Sequence, residues 1–194
     1  SEVKINCATL TCGTTRNNIA VDFKGPHASC ELYGMAVAGK EMHIDNDTTV
    51  RHLTGECRSN QLFRYVVDDK AVGAFEGSII VADGARLTEA YQSNKNIVAS
   101  PTATMHTKPQ LEIYNDDVKC SHGASTGQLD RNALFYMATR GIPEDEARTM
   151  LMQAFMVDVI DKITIEGLAE RMRHLTELRF SADPSQFCAT CRKN

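Results

Sequence analysis

One short unit, recurring along this 194-residue chain, limits the fold more than any other feature. Val21-Asp-Phe-Lys-Gly-Pro-His-Ala-Ser-Cys30, Ser78-Ile-Ile-Val-Ala-Asp-Gly-Ala-Arg-Leu87 and Leu111-Glu-Ile-Tyr-Asn-Asp-Asp-Val-Lys-Cys120 share one template. Each is a short alternating run, a polar corner, and a second run whose Ala, Val and Cys side chains are small. A repeated corner of this kind suits a stacked coil, in which successive turns of chain lie about 4.8 Å apart and small side chains fit inside. Two-residue hairpin turns are scarce, so a parallel β-solenoid fits better than a sandwich of antiparallel sheets, the competing architecture.

The same period of two runs from residue 1 to about 127. It includes Val3, Ile5, Cys7 and Leu10, then Ile19, Val21 and Phe23, then Leu62, Phe63, Tyr65 and Val67. Gly25-Pro26, Asn46-Asp47 and Asp83-Gly84 read as turn dipeptides. From residue 128 the period becomes 3.6. A helix over 129–139 ends at Gly141 as a C-cap, and Pro143 opens a second helix at its first position, followed by Glu144, Asp145 and Glu146. That helix is expected to run to about Ile163, with Ala147, Leu151, Ala154, Phe155 and Val159 as its apolar stripe; Thr164 then caps a third. The division is a β core over 1–127, a helical domain over 128–180 and a polar tail over 181–194.

Bulk properties exclude several functions. A net charge of −4 and no basic stripe give no reason to expect nucleic acid. No apolar run approaches the ~20 residues of a membrane span. No Gly-x-x-x-x-Gly-Lys-Ser/Thr phosphate loop and no Gly-x-Ser-x-Gly elbow is present, so ATP belongs to a partner if it is used. The first residues already alternate like a strand, which argues against a signal peptide and suggests a piece of a longer protein. Seven cysteines at irregular spacing argue against a disulfide scaffold and for a reducing, cytoplasmic setting.

The chemistry-bearing residues concentrate in Pro109 to Gly123. Cys120 and His122 stand two apart on a strand-like run, so they share a face. A thiol and an imidazole at one spot suit iron–sulfur chemistry, zinc or copper. A stable iron–sulfur site takes four ligands, so from the residues alone a buried thiol beside a hydrogen-bonded structural histidine is the competing reading, and any metal role for His122 is a transient one. Cys188-x-x-Cys191 is half a zinc site with no second half, and is expected to have no role beyond structure. Cys7, Cys12, Cys30 and Cys57 read as inward solenoid residues. His27, His43 and His52 read as hydrogen-bonded corner or surface residues, and His106 as a neighbour of the same surface as His122.

Pro109 to Gly123, Gly127-Gln-Leu-Asp-Arg-Asn-Ala-Leu-Phe-Tyr136 and Arg140-Gly-Ile-Pro-Glu-Asp-Glu-Ala-Arg148 resemble the C-terminal part of the SufB/SufD family, on its SufD side. His27 to Gly34, Ser59 to Phe63, Phe75-Glu-Gly77 and Gln92 to Asn96 support the likeness, which covers nearly the whole chain. Arg64-Tyr65 and Cys188/Cys191 depart from the family pattern. The resemblance implies a right-handed parallel β-helix followed by a small α-helical domain, and a family N-terminal helical region that is absent here. It implies a non-enzymatic scaffold in SUF iron–sulfur cluster assembly, paired with a SufB-like sister subunit and docked to a SufC-like ABC-type ATPase that binds the ATP. It carries the family's functional histidine onto His122, with Cys120 beside it, and no stably bound cofactor beyond passing iron, sulfide or nascent cluster. The Met-rich face of the second helix (Met150, Met152, Phe155, Met156) is the expected ATPase contact, shared with core packing. An isolated chain could pair with itself through an open sheet edge. The rival from another class is a β-helical carbohydrate-active enzyme, which the absence of Trp and the presence of only five Tyr disfavour.

Overall fold

The structure, a computed structural model, describes residues 1–10 and 13–180. Among these residues nine strands come first: β1 (Glu2–Thr9), β2 (Thr14–Phe23), β3 (Ser29–Ala38), β4 (His43–His52), β5 (Arg58–Val67), β6 (Val72–Val81), β7 (Thr88–Val98), β8 (Thr104–Ile113) and β9 (Val118–Gly127). Three helices follow: α1 (Arg131–Thr139), α2 (Glu144–Ile160) and α3 (Glu166–Phe180). Odd strands form one sheet in the order β1-β3-β5-β7-β9, and even strands a second in the order β2-β4-β6-β8. Every pairing is parallel. The chain alternates between the sheets and climbs one strand each time, giving a flattened β-solenoid of about four turns with roughly thirty residues per coil. An antiparallel sandwich is ruled out by the pairing.

The corner template marks true corners. Phe23 ends β2 and Ser29 begins β3; the same step separates Val81 from Thr88 and Ile113 from Val118. Register then stacks the residues that follow the corners: Val3 pairs with Cys30, Cys30 with Ser59, Ser59 with Ala90 and Ala90 with Cys120. Five of the bends turn on a non-glycine residue in the left-handed region, whereas the 114–117 corner contains none. His27 (φ 56°), Glu56 (58°) and Leu87 (56°) form one column, and Lys40 (57°) and Asp69 (54°) stand at the opposite bend. Cross-coil bonds hold these conformations against their steric cost. Lys40 N–H donates to Asp69 Oδ2 at 2.7 Å, and His27 Nδ1 lies 3.1 Å from Glu56 Oε2.

The interior is partly apolar and partly not. Leu32, Ala36, Ile44, Phe63, Tyr65, Val67 and Phe75 pack between the sheets. Gly34 makes room for Phe63, whose ring would lie 2.1 Å from any Cβ placed there. In the same coils Asn46, Thr48, His52, Gln61, Gln92, Asn94 and Asn96 are also buried. Several satisfy one another, as buried polar groups must: Thr48 Oγ1 donates to Gln61 Oε1 at 2.9 Å, and Asn94 and Asn96 exchange amide bonds at 3.0 and 2.8 Å.

The helices cover the outer face of the odd-numbered sheet. Tyr33, Met35, Val37 and Val66 pack against Met152, Met156, Val159, Ile160 and Leu175. Arg64 on β5 pins α2: its Nη2 lies 2.5 Å from Asp158 Oδ2 and its guanidinium 4.8 Å from the Phe155 ring centroid. Asp130 caps α1 by accepting from Asn132 N–H at 2.8 Å and Ala133 N–H at 3.3 Å, and Gly141 follows the helix at φ 81°.

Some sequence boundaries move. Asn46-Asp47 is not a turn but lies inside β4, because Asn46 faces inward to a polar neighbour, Asn17. Ala85 and Leu87 belong to a corner. Pro143 precedes α2 as its N-cap, α2 stops at Ile160, and the carbonyl of Ile165 rather than Thr164 receives the first bonds of α3. The polar tail and Cys12, Cys188 and Cys191 lie outside the described residues.

Candidate functional site

Among the described residues, β9 is the last strand of its sheet and pairs on one side alone, with β7; β8 closes the other sheet in the same way. The last coil therefore leaves its inward positions open where every earlier coil is covered by the next. Cys120 and His122 occupy two successive inward positions of β9, in register with Ala90 and Gln92 of β7. The expected sharing of one face follows from this alternation. Cys120 is half-buried against Ile79, Val81 and Ala90, while His122 is exposed.

Burial pushes the Cys120 thiol above its ordinary pKa, partly offset by a backbone hydrogen bond with Ala90. At neutral pH it is a thiol, and it becomes a ligand only when a bound cation displaces its proton. Among the described residues, no three His, Cys, Asp or Glu side chains gather closely enough to hold a metal ion. Cys120 and His122 are two potential donor side chains on an edge strand.

The other sequence candidates separate. Cys30 and Cys57 are buried, and Cys7 is half-buried with its thiol pKa raised by desolvation. His52 is fully buried, stacked 4.4 Å from Phe23 and hydrogen-bonded to Ser59 Oγ at 2.9 Å. His106 is exposed on edge strand β8, at the same end of the solenoid but in the other sheet. On α2, Met152 and Met156 are inside, Phe155 is half-covered by Arg64, and Met150 is exposed. The outward apolar side chains of the helical segment are Phe135, Tyr136, Met150, Val157, Ile165 and Leu168. Of these, Met150 alone belongs to the ATPase contact expected from the sequence. α1 carries the exposed aromatic pair, which a helical period alone assigns to no partner.

Two cavities bear on enzyme chemistry. One of about 510 Å³ lies between Val98–Pro101 and the starts of α1 and α2, with Arg131, Glu144 and Arg148 in its wall. Another of about 430 Å³ follows the corner column, with His27, Glu56, Arg58 and Glu89. Neither wall contains a Phe, Tyr or Trp ring on which a sugar could stack. No helix among the described residues is long and apolar enough to cross a membrane.

Comparison with known proteins agrees with this architecture. A family model described as "SUF system FeS cluster assembly, SufBD core domain" matches residues 1–155. The chain is 36% identical over 157 residues to the iron–sulfur cluster assembly protein SufD of Escherichia coli K12, covering 81% of this chain and 37% of that protein. It is 33% identical over 165 residues to an iron–sulfur cluster assembly SufBD family protein of Synechocystis, covering 85% of this chain and 36% of that one. A third relative, Protein ABCI7, chloroplastic, of Arabidopsis thaliana, is 33% identical over 162 residues, covering 82% of this chain and 34% of its own length. The chain thus spans little more than a third of each of these relatives.

Proposed function

Because this chain belongs to the SufB/SufD family of SUF-system iron–sulfur cluster assembly proteins, we propose that it acts as a scaffold subunit without catalytic activity of its own, working in the cytoplasm. A SufB-like sister subunit pairs with the free edges of β8 and β9, where unpaired backbone groups invite a further strand. His122 and Cys120 then face the seam and offer two donors to the cargo (iron, sulfide or a nascent cluster), while the sister subunit supplies the remaining ligands. In the absence of the sister, the same edges admit a second copy of the chain.

A SufC-like ATPase docks on the helical segment and binds the ATP. The exposed apolar side chains of α1, α2 and the start of α3, Met150 among them, supply adaptable contact area. The Arg64–Asp158 pair and the buried Met152 and Met156 tie α2 to the outer face of the sheet whose last strand carries His122. A pull on the helices therefore reaches the cluster edge through one rigid sheet, and the seam with the sister subunit is the two-state element that nucleotide binding biases.

The observation that carries the reading is the pairing of an imidazole and a thiol on successive inward positions of an uncovered end strand. The test is His122→Ala in the full-length protein, assembled with its sister subunit and ATPase. Cluster output should fall at least about tenfold, the effect of losing one charge-assisted contact. Unchanged output from a folded, fully assembled complex would remove His122 from the chemistry.

A further inference from the structure

Four residues stand on one inward ladder, in the order Leu32, Gln61, Gln92, His122 on β3, β5, β7 and β9. Gln92 is 4% exposed and Gln61 1% exposed. Gln61 Oε1 accepts from Thr48 Oγ1 at 2.9 Å, but Gln61 Nε2 and both polar atoms of Gln92 have no hydrogen-bond partner among the described residues. Orphaned atoms of this kind are costly and need a reason.

The opposite wall explains why they find nothing there. Thr48 faces Gln61 with a hydroxyl. In the next coil its register partner is Gly77, which faces Gln92 with no side chain; a Cβ there would come 2.4 Å from Gln92 Nε2. The partner of Gly77 is Pro109, which offers no polar side-chain atom either. Along their own ladder, the polar side chains next to these amides are each other and the imidazole of His122.

We propose that Thr48, Gln61 and Gln92 form a directional hydrogen-bond ladder that fixes the tautomer of His122, making Gln92 a positioning residue for it. Amides in register on parallel strands lie about 4.8 Å apart and bond to one another along the stack. The terminal torsion of glutamine is soft, so Gln92 closes the ladder by rotation alone. The direction follows from counting donors. Thr48 Oγ1–H already donates to Gln61 Oε1, so Gln61 Nε2–H donates to Gln92 Oε1, and Gln92 Nε2–H donates to a ring nitrogen of His122. This order satisfies all three orphaned atoms, whereas the reverse order leaves Gln61 Nε2 unpaired. The neutral imidazole then carries its proton on the other nitrogen, and it presents an N–H at the open edge until a cation displaces that proton. The role of that N–H in assembly rests on the function proposed for His122; the ladder itself does not.

Nitrogen NMR of the 194-residue chain at alkaline pH reads the tautomer directly. In the native sequence one tautomer should prevail by about tenfold, the bias one net hydrogen bond supplies. In Gln92→Met, which keeps the volume and removes the amide, both tautomers should be populated. In Gln92→Glu, whose carboxylate only accepts, the opposite tautomer should prevail. Gln61→Met breaks the same ladder one coil earlier and should also mix the tautomers, which keeps the test open if Gln92→Met does not fold. A tautomer ratio unchanged in the folded variants, or a free mixture in the native chain, overturns the proposal. A tautomer shift combined with normal cluster output from His122→Ala would sink the assembly role and leave the ladder standing.

Discussion

Lowering the pH should destabilise the solenoid through one residue, His52. Its ring is completely buried, stacked on Phe23, with Nε2 bonded to Ser59 Oγ and Nδ1 unpartnered. Desolvation lowers its pKa from 6.5 to about 4. Between those values the unfolded chain holds a proton that the folded chain refuses, so the unfolded state binds more protons and stability falls as pH falls. The contribution is intact above about pH 6.5 and lost progressively down to about pH 4. At 1.36 kcal/mol per unit, the full shift is worth roughly 3 kcal/mol, of which about 2 kcal/mol is lost by about pH 5.

Glu31 titrates in a lower window. Its carboxyl is held below the usual carboxylate range, chiefly by its hydrogen bond with Lys4, so its stabilisation is present above about pH 4.5 and fades below it. Urea unfolding of the native chain and His52→Leu at about pH 7.5 and about pH 5 separates the two. The leucine variant shifts absolute stability, because Ser59 loses its partner. Only the difference in pH dependence counts. The native chain should lose about 2 kcal/mol more than the variant over that interval. Equal losses would show that the folded state takes up the proton at an ordinary pH, and the depressed pKa would be refuted.

Three further outcomes follow from the packing. Met156→Ala, at a fully buried position between α2 and the sheet, should cost about 2–5 kcal/mol in chemical denaturation, whereas exposed Met150→Ala should cost less than about 0.5 kcal/mol and weaken ATPase binding in a pull-down. Asp158→Ala leaves the Arg64 guanidinium buried without its carboxylate and should destabilise by roughly 1–3 kcal/mol, with α2 losing amide-exchange protection before the strands do. Gly34→Ala forces a Cβ into the Phe63 ring and should cost at least about 1–3 kcal/mol in thermal or urea unfolding; an unchanged midpoint would mean the coil can spread there.

The parts of the fold legible in the sequence were those where an inward residue is small or apolar and a corner is polar. That is why Cys30 and Cys120, which share one place in the repeated unit, stand in one ladder. β4 and β7 were not legible, and the reason lies inside them. Their inward positions carry Asn46, Thr48 and His52, and Gln92, Asn94 and Asn96, so no apolar alternation marks the strand. A stacked coil tolerates such residues because identical positions in successive turns bond to one another, a partner that a single strand never displays in its own sequence. α2 poses the converse problem: it is apolar over so much of its circumference that a helical period cannot say which methionine faces the sheet. Packing against β3 and β5 chooses Met152 and Met156 and leaves Met150 and Ala154 outside. The site shares both conditions. Cys120 and His122 were legible as a pair on one face, but Gln92, one strand below, carries no sign of the site until register sets it beneath the imidazole. In a solenoid, what supports a residue is found one coil away, about thirty positions back in the chain, where local pattern carries no sign of it.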